Sequence, residues 1–318
     1  MWQCKGFNLG RVFGISLSFL IFLIIFQHVP YADIMAIIRR TDVGYLSVAI
    51  IIALLNHIFF SVDKLRRIVC YTGHRLSFDK ALVIKVGGST LDVFVPFRLG
   101  DVLKAKYLNI DNGQSIASAL GVLVFDKALN LWAIFVLLFV GLLFLPMQVP
   151  LFLPGVILIG LIVVIWFNKL WGMGCVLLSR VHVPAGEILK QFACVFFSGS
   201  YQKKGFLCGY ALLIQMLEVS LFYLIFLSLG IKIPLAYILT GSALVIAISA
   251  VPVAFLGIGV REVAVTSVFA LYASPEVLLS AGLLVTVVGH LITRMVGFIL
   301  FPRFMADTSL CFWREKKL

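Results

Sequence analysis

The chain has 318 residues, 62% of them hydrophobic and only 13% charged, with a mean hydropathy of +1.11, whereas soluble domains carry about 25% charged residues. That excess excludes a soluble fold and predicts an all-α polytopic membrane protein, with no separate soluble domain because apolar residues run along the whole length. The net charge of +12 lies mostly in loops and tails, where orientation in a bilayer places it. No basic run is long enough for nucleic acid, so an anionic lipid headgroup is the better partner.

A crossing needs roughly 20 mostly apolar residues. Lys5 and Arg11 lead into the first apolar run, Val12 to Phe26. No small-residue cleavage site follows, so residues 10–27 read as an uncleaved signal anchor. Further crossings are predicted at 44–62, 116–145, 150–168, 206–229 and 277–302. Two more apolar stretches, 81–109 and 236–273, are broken by proline and glycine.

Loop charges orient these elements. Segment 63–80 holds Lys64, Arg66, Arg67, Arg75 and Lys80. Segment 168–205, which reads as amphipathic pieces at the membrane surface, holds Lys169, Arg180, Lys190, Lys203 and Lys204. The end of the chain holds Arg303, Arg314, Lys316 and Lys317, while the turns at 146–151 and 230–235 hold only Lys232. Basic loops face the cytoplasm. If 81–109 crossed fully, segment 168–205 would fall outside.

The charge rule therefore predicts about six full spans plus two opposed re-entrant broken-helix hairpins, eight to ten apolar segments in all, in one membrane domain over 1–318. Its membrane core is 10–302, its basic cytoplasmic tail is 303–318, and both termini lie inside. Loop 28–43, with Arg39 and Arg40, is the exception to the rule.

None of the six cysteines (Cys4, Cys70, Cys175, Cys194, Cys208 and Cys311) forms a CxxC or sits near a histidine at ligand spacing. No metal site, disulfide framework or cofactor is expected. No Walker motif is present, so ATP is not implied.

The two broken stretches carry the chemistry. The first, "KVGGSTLDVFVPFRLGDVLKAKYL" at 85–108, contains Pro96, Arg98, Gly100, Asp101 and Lys104. The second, "SAVPVAFLGIGVREVAVTSVF" at 249–269, contains Pro252, Gly257, Gly259, Arg261 and Glu262. Each stretch thus has a proline, glycine and a basic and an acidic residue close together, which is what an inverted repeat with a midplane site would produce. Irregular backbone at membrane depth survives only when buried in protein or lining a water-filled cavity, and a charge at the bilayer centre costs on the order of 3 kcal/mol. Broken helix ends and an arginine together form an anion site. The alternative is that both pairs are interfacial ion pairs that only fix topology.

Secondary polar candidates are Asp126 and Asn130, which share a helix face, the lone carboxylate Glu218, and Arg294 with His290. Arg294 is positioned on that face to reach Glu218 or Glu262. His57 reads as an interior histidine or a proton relay.

At "VPFRLGDVLKAKYL" and "VPVAFLGIGVREV" the sequence resembles the flippase-like transmembrane region of lysylphosphatidylglycerol synthases and its stand-alone relatives. The family's first motif, proline-x-arginine-x-glycine-glutamate with an arginine three residues later, matches from Pro96 to Gly100, with Asp101 for the glutamate and Lys104 for the arginine. Its second motif matches from Gly257 to Glu262. The resemblance implies movement or presentation of a lipid. It casts Arg98, Asp101, Lys104, Arg261 and Glu262 as headgroup-binding residues, the acids pairing with the arginines when the site is empty. Pro96, Gly100, Gly257 and Gly259 would supply backbone freedom.

The expectation is a flippase-like transporter of the prokaryotic inner membrane for a lipid with a phosphate-bearing headgroup, not an enzyme, with a lipid-synthesis enzyme as the protein partner to look for. Lysyl-phosphatidylglycerol synthesis itself is not expected. The rivals are a membrane glycosyltransferase, for which no DxD appears, and an accessory subunit of an envelope-lipid pathway.

Overall fold

The computed structural model describes residues 41–90, 100–144, 201–250 and 259–315, together with Arg39 and Val195. Every element among them is a helix. Helix α1, Val43–Leu54, starts where the Asp42 carboxylate accepts the Gly44 N–H at 2.7 Å, a cap that satisfies one of the free donors of a helix start. A π-helical turn, π1, Leu55–Phe60, carries it into α2, Ser61–Tyr71.

Ser77 caps α3, Phe78–Leu82, which runs into a second π turn, π2, Val83–Gly87. Helix α4 is Gly100–Asn112, and Ser115 caps the long α5, Ile116–Leu143. Then come α6, Tyr201–Ser228, α7, Leu235–Ser249, and α8, Val260–Val268. Helix α9, Pro275–Val285, passes through a third π turn, π3, Thr286–Leu291, into α10, Ile292–Glu315, which has Pro302 in its interior.

Among the described residues, four continuous rods are long and apolar enough to cross a membrane: Val43–Tyr71, Ile116–Leu143, Gln202–Ser228 and Pro275–Ala306. They coincide with the crossings predicted at 44–62, 116–145, 206–229 and 277–302. The chain is thus a multi-pass membrane protein. The crossings predicted at 10–27 and 150–168 lie outside the described residues. In both broken stretches, helices flank the break: α3 and π2 precede α4, and α7 precedes α8.

One element differs from expectation. The polar segment 63–80 does not begin as a loop, because α2 continues to Tyr71. Lys64 is fully buried within it while Arg66 and Arg67 stay half-exposed. Local hydropathy reads these charges as loop, yet α2 is amphipathic and hides one face.

The rods pack on small residues, as membrane helices do where hydrophobicity does not distinguish helix from lipid. A side chain added at Gly141 of α5 would press on the Thr240 backbone of α7 at 3.0 Å, and one at Gly297 of α10 would meet the Val86 carbonyl of π2 at 2.7 Å. Among the described residues two apolar cores result. One joins the second half of α5 to α6, α7, α8 and α9. The other joins α2, π2, α4 and the first half of α5 to Phe304 of α10. Trp132 and Leu212 pack against both. The polar residues described next lie on the helices that line these two cores.

Candidate functional site

At the second break, Gly259 has φ +88°, a conformation that side-chain-bearing residues rarely adopt. It starts α8, and Glu262 bends back to cap it: the carboxylate accepts the Gly259 N–H at 2.6 Å. The other carboxylate oxygen accepts the Thr286 hydroxyl of π3 at 2.6 Å, and that hydroxyl oxygen accepts Nη1 of Arg261 at 3.0 Å. A hydroxyl donates once and accepts twice, so Thr286 joins the two charges. Both are buried, Glu262 completely. The expected arginine–carboxylate partnership is therefore built through a threonine from another element. Arg261 also lies within electrostatic reach of Glu218 and Arg294.

Glu218 of α6 accepts from the Asn56 amide at 3.2 Å, and the same amide donates to the Ile214 carbonyl at 3.3 Å. Nε2 of His57 lies 3.7 Å from the Glu218 carboxylate, and the His57 and His290 rings are 5.8 Å apart. His57 interacts electrostatically with Arg294, Lys85 and Arg261 as well as Glu218. Among the described residues, three π turns deliver these groups: π1 carries Asn56 and His57, π2 carries Lys85, and π3 carries Thr286 and His290. A π turn inserts one residue into the helical ladder and is frequent at functional sites.

Helix α5 supplies the third group. Lys64 of α2 lies 2.9 Å from Asp126, donates to its backbone carbonyl at 3.4 Å and also to the side chain of Asn130. Lys85 of π2 donates to the other oxygen of Asp126. One residue on, Lys127 donates to Asp101, which also takes Lys104 of its own helix at 3.2 Å. Lys127 is 11 residues past Ile116, hence about 16 Å along α5 at 1.5 Å per residue. That is well inside a rod of 28 residues, which is long enough to cross a hydrocarbon layer about 30 Å thick. The Lys127 side chain is nevertheless 40% exposed.

The structure therefore gathers Arg261, Glu262 and Gly259 around π3, and Asp101, Lys104 and Gly100 around the start of α4. Asp126 and Asn130 do share a face, as their spacing predicts. Glu218 finds Asn56 and His57, and Arg294 lies within electrostatic reach of Arg261 and His57. Pro96, Arg98 and Gly257 lie outside the described residues. Sequence reasoning missed Lys64, Lys85, Asn56 and Thr286 as members. The available signal was a lysine within or beside an apolar run, which a charge count assigns to loops.

At one end of α2 a separate corner forms. Asp63 accepts from Arg67 at 2.5 Å and Tyr210 at 3.0 Å, and Arg67 lies over the Phe206 and Tyr210 rings. Among the described residues no group of three or more His, Cys, Asp or Glu is placed to hold a metal ion.

Comparison with known proteins gives a family match: the family described as lysylphosphatidylglycerol synthase TM region matches residues 11–298. No curated protein matches the chain.

Proposed function

The chain belongs to the lysylphosphatidylglycerol synthase transmembrane-region family, and from that premise we propose that it is a flippase-like transporter that carries a lipid with a phosphate-bearing headgroup between leaflets. Membership places it among membrane proteins of lipid metabolism or transport. The finer reading rests on one observation above the rest: charged side chains stand at crossing depth, and some of them stay accessible. Lys127 of the apolar rod α5 and Lys85, which pairs with Asp126 of that rod, keep 40% and 24% of their side chains exposed. A charge in that position is stable where it faces protein or a polar path, and a path for headgroups is such a path.

In this reading the two broken stretches are re-entrant and enter from opposite faces, so that the residues following each break meet near the midplane. Arg261 grips the phosphate, since a guanidinium matches a phosphate through two parallel hydrogen bonds. Lys104 and Arg98 contribute charge from the first break. Glu262 holds the start of α8 in place and releases nothing when the lipid arrives, because both of its oxygens already serve Gly259 and Thr286. Movement is downhill or ion-coupled, and the protein performs no bond chemistry. It sits in a prokaryotic inner membrane with both termini cytoplasmic, as the loop charges require.

The test replaces Arg261 with Ala and with Lys in reconstituted vesicles. The expected outcome is at least tenfold slower lipid translocation for Arg261→Ala, a loss of one charge-assisted grip, with partial recovery for Arg261→Lys. Unchanged translocation by both variants at normal protein level would sink the site.

A further inference from the structure

Three titratable side chains meet near the middle of the rods. His57 is the central residue of Val43–Tyr71, His290 stands at the centre of Pro275–Ala306, and Glu218 lies within one turn of the centre of Gln202–Ser228. Ionisable groups at such positions are costly, and chains of glutamate and histidine there mark proton relays in pumps and transporters. Histidine is the side chain whose charge changes near neutral pH.

Contacts make these three a unit. Nε2 of His57 lies 3.7 Å from Oε2 of Glu218, just beyond hydrogen-bond range. That nitrogen is buried and has no hydrogen-bond partner among the described residues. A small approach of the two side chains closes the bond, and a proton then has two places to sit. The Asn56 amide holds the same carboxylate oxygen while it donates to the Ile214 carbonyl, so the acid stays aimed at the ring. The His57 side chain keeps 29% of its surface exposed against 10% for Glu218, which makes the histidine the open end of the pair. The His290 ring lies 5.8 Å from the His57 ring. Among the described residues, the charged groups facing this unit are Lys85 of π2, Arg261 of α8 and Arg294 of α10.

We propose that Glu218, His57 and His290 bind one transported proton, which crosses together with the lipid. The inference rests on the lipid-transport reading above and names its coupling ion. Arg261, which grips the phosphate in that reading, lies within electrostatic reach of Glu218 and of both histidines. A negative phosphate at Arg261 therefore favours a proton on its neighbours, and by linkage the proton favours the phosphate to the same degree. Opposite charges bound together also cross more cheaply than either alone, since an isolated charge in an apolar medium carries the larger desolvation cost. The proton leaves water at one face, rests on the Glu218–His57 pair while the lipid is bound, and returns to water at the other face. No other bond changes.

The experiment uses the full chain in phosphatidylcholine vesicles with a trace of fluorescent phosphatidylglycerol, and potassium with valinomycin holds the membrane potential at zero. A gradient of about one pH unit is expected to enrich the labelled lipid about tenfold in the leaflet facing the alkaline side, since one proton accompanies each lipid. Protein-free vesicles over the same time serve as the blank. Glu218→Gln and His57→Gln should abolish the enrichment. Labelled lipid that moves but spreads evenly in the wild type keeps the transporter and overturns this inference. A gradient response unmoved by either substitution also overturns it.

A second measurement needs no movement. In detergent, the shift of the thermal midpoint with dioctanoyl phosphatidylglycerol gives its affinity at about pH 6 and about pH 8, on either side of the histidine range. Binding is expected to be about fivefold or more tighter at the lower pH, and Glu218→Gln should flatten that difference. Equal wild-type affinity at both pH values overturns the inference. Binding that tightens at low pH without lipid movement in vesicles leaves the proton site standing and removes the transporter.

Discussion

The two broken stretches look alike as sequence and are built differently. At the second break the acid is a structural clasp: Glu262 caps its own helix at Gly259 and holds Thr286, which carries Arg261. At the first break Asp101 is the second residue of α4 and its partners are lysines, one from α4 and one from α5. The glycines differ too. Gly259 precedes the charge pair and sets the helix start, whereas Arg98 precedes Gly100. One break therefore builds its site around a carboxylate clasp on its own helix, and the other around an aspartate that takes lysines from two helices. A motif match in letters does not guarantee equivalent positions, because a shift of one residue moves a side chain by about 100° around a helix.

The largest effect that would break this comparison is expected at the lysine side. Asp126→Asn keeps the shape but leaves Lys64 and Lys85 without their counter-charge. Removing one partner of a buried pair costs about 3–5 kcal/mol, so the variant should lose most of its folded yield or its thermal midpoint in detergent. A near wild-type midpoint would mean that the lysines find another acid.

Glu262→Gln should be milder, about 1–3 kcal/mol, because glutamine also serves a capping box and keeps an acceptor for Gly259. If it proves as damaging as Asp126→Asn, then Glu262 is there for its charge and the contrast between the two breaks collapses. Smaller again is Gly259→Ala, at about 1–2 kcal/mol for a side chain forced into the left-handed region, read as a lowered midpoint with the same unfolding amplitude. The smallest stability change is expected for Lys127→Gln, within about 0.5–1 kcal/mol since its pair is partly exposed. Its effect should appear in lipid translocation instead.

Much of the architecture was legible in the chain. The four rods stand where apolar runs of crossing length predict them, and helices flank both breaks. Asp126 and Asn130 share a face because helical spacing alone requires it. The site was legible only on one side of each contact. Glu218 stood out as a carboxylate in an apolar helix, but nothing in its own window points to Asn56, 162 residues away. Thr286 gave no signal at all, since an isolated threonine in an apolar rod is common and its role arises only where α8 and π3 meet. Lys64 was misplaced because counting charges along a window treats α2 as loop, while the structure buries the lysine on Asp126, 62 residues on.

The sequence by itself determined that this protein lives in a membrane, roughly where its rods run, and where two of its stretches must break. Those properties follow from hydropathy, length and glycine or proline chemistry, which act locally along the chain. Only the tertiary structure decided which charges meet. That depends on the rotation of each rod about its own axis, which local hydropathy does not fix. It also depends on close packing at glycines such as Gly141 and Gly297, which brings rods near enough for a lysine on one to be neutralised by an aspartate on another.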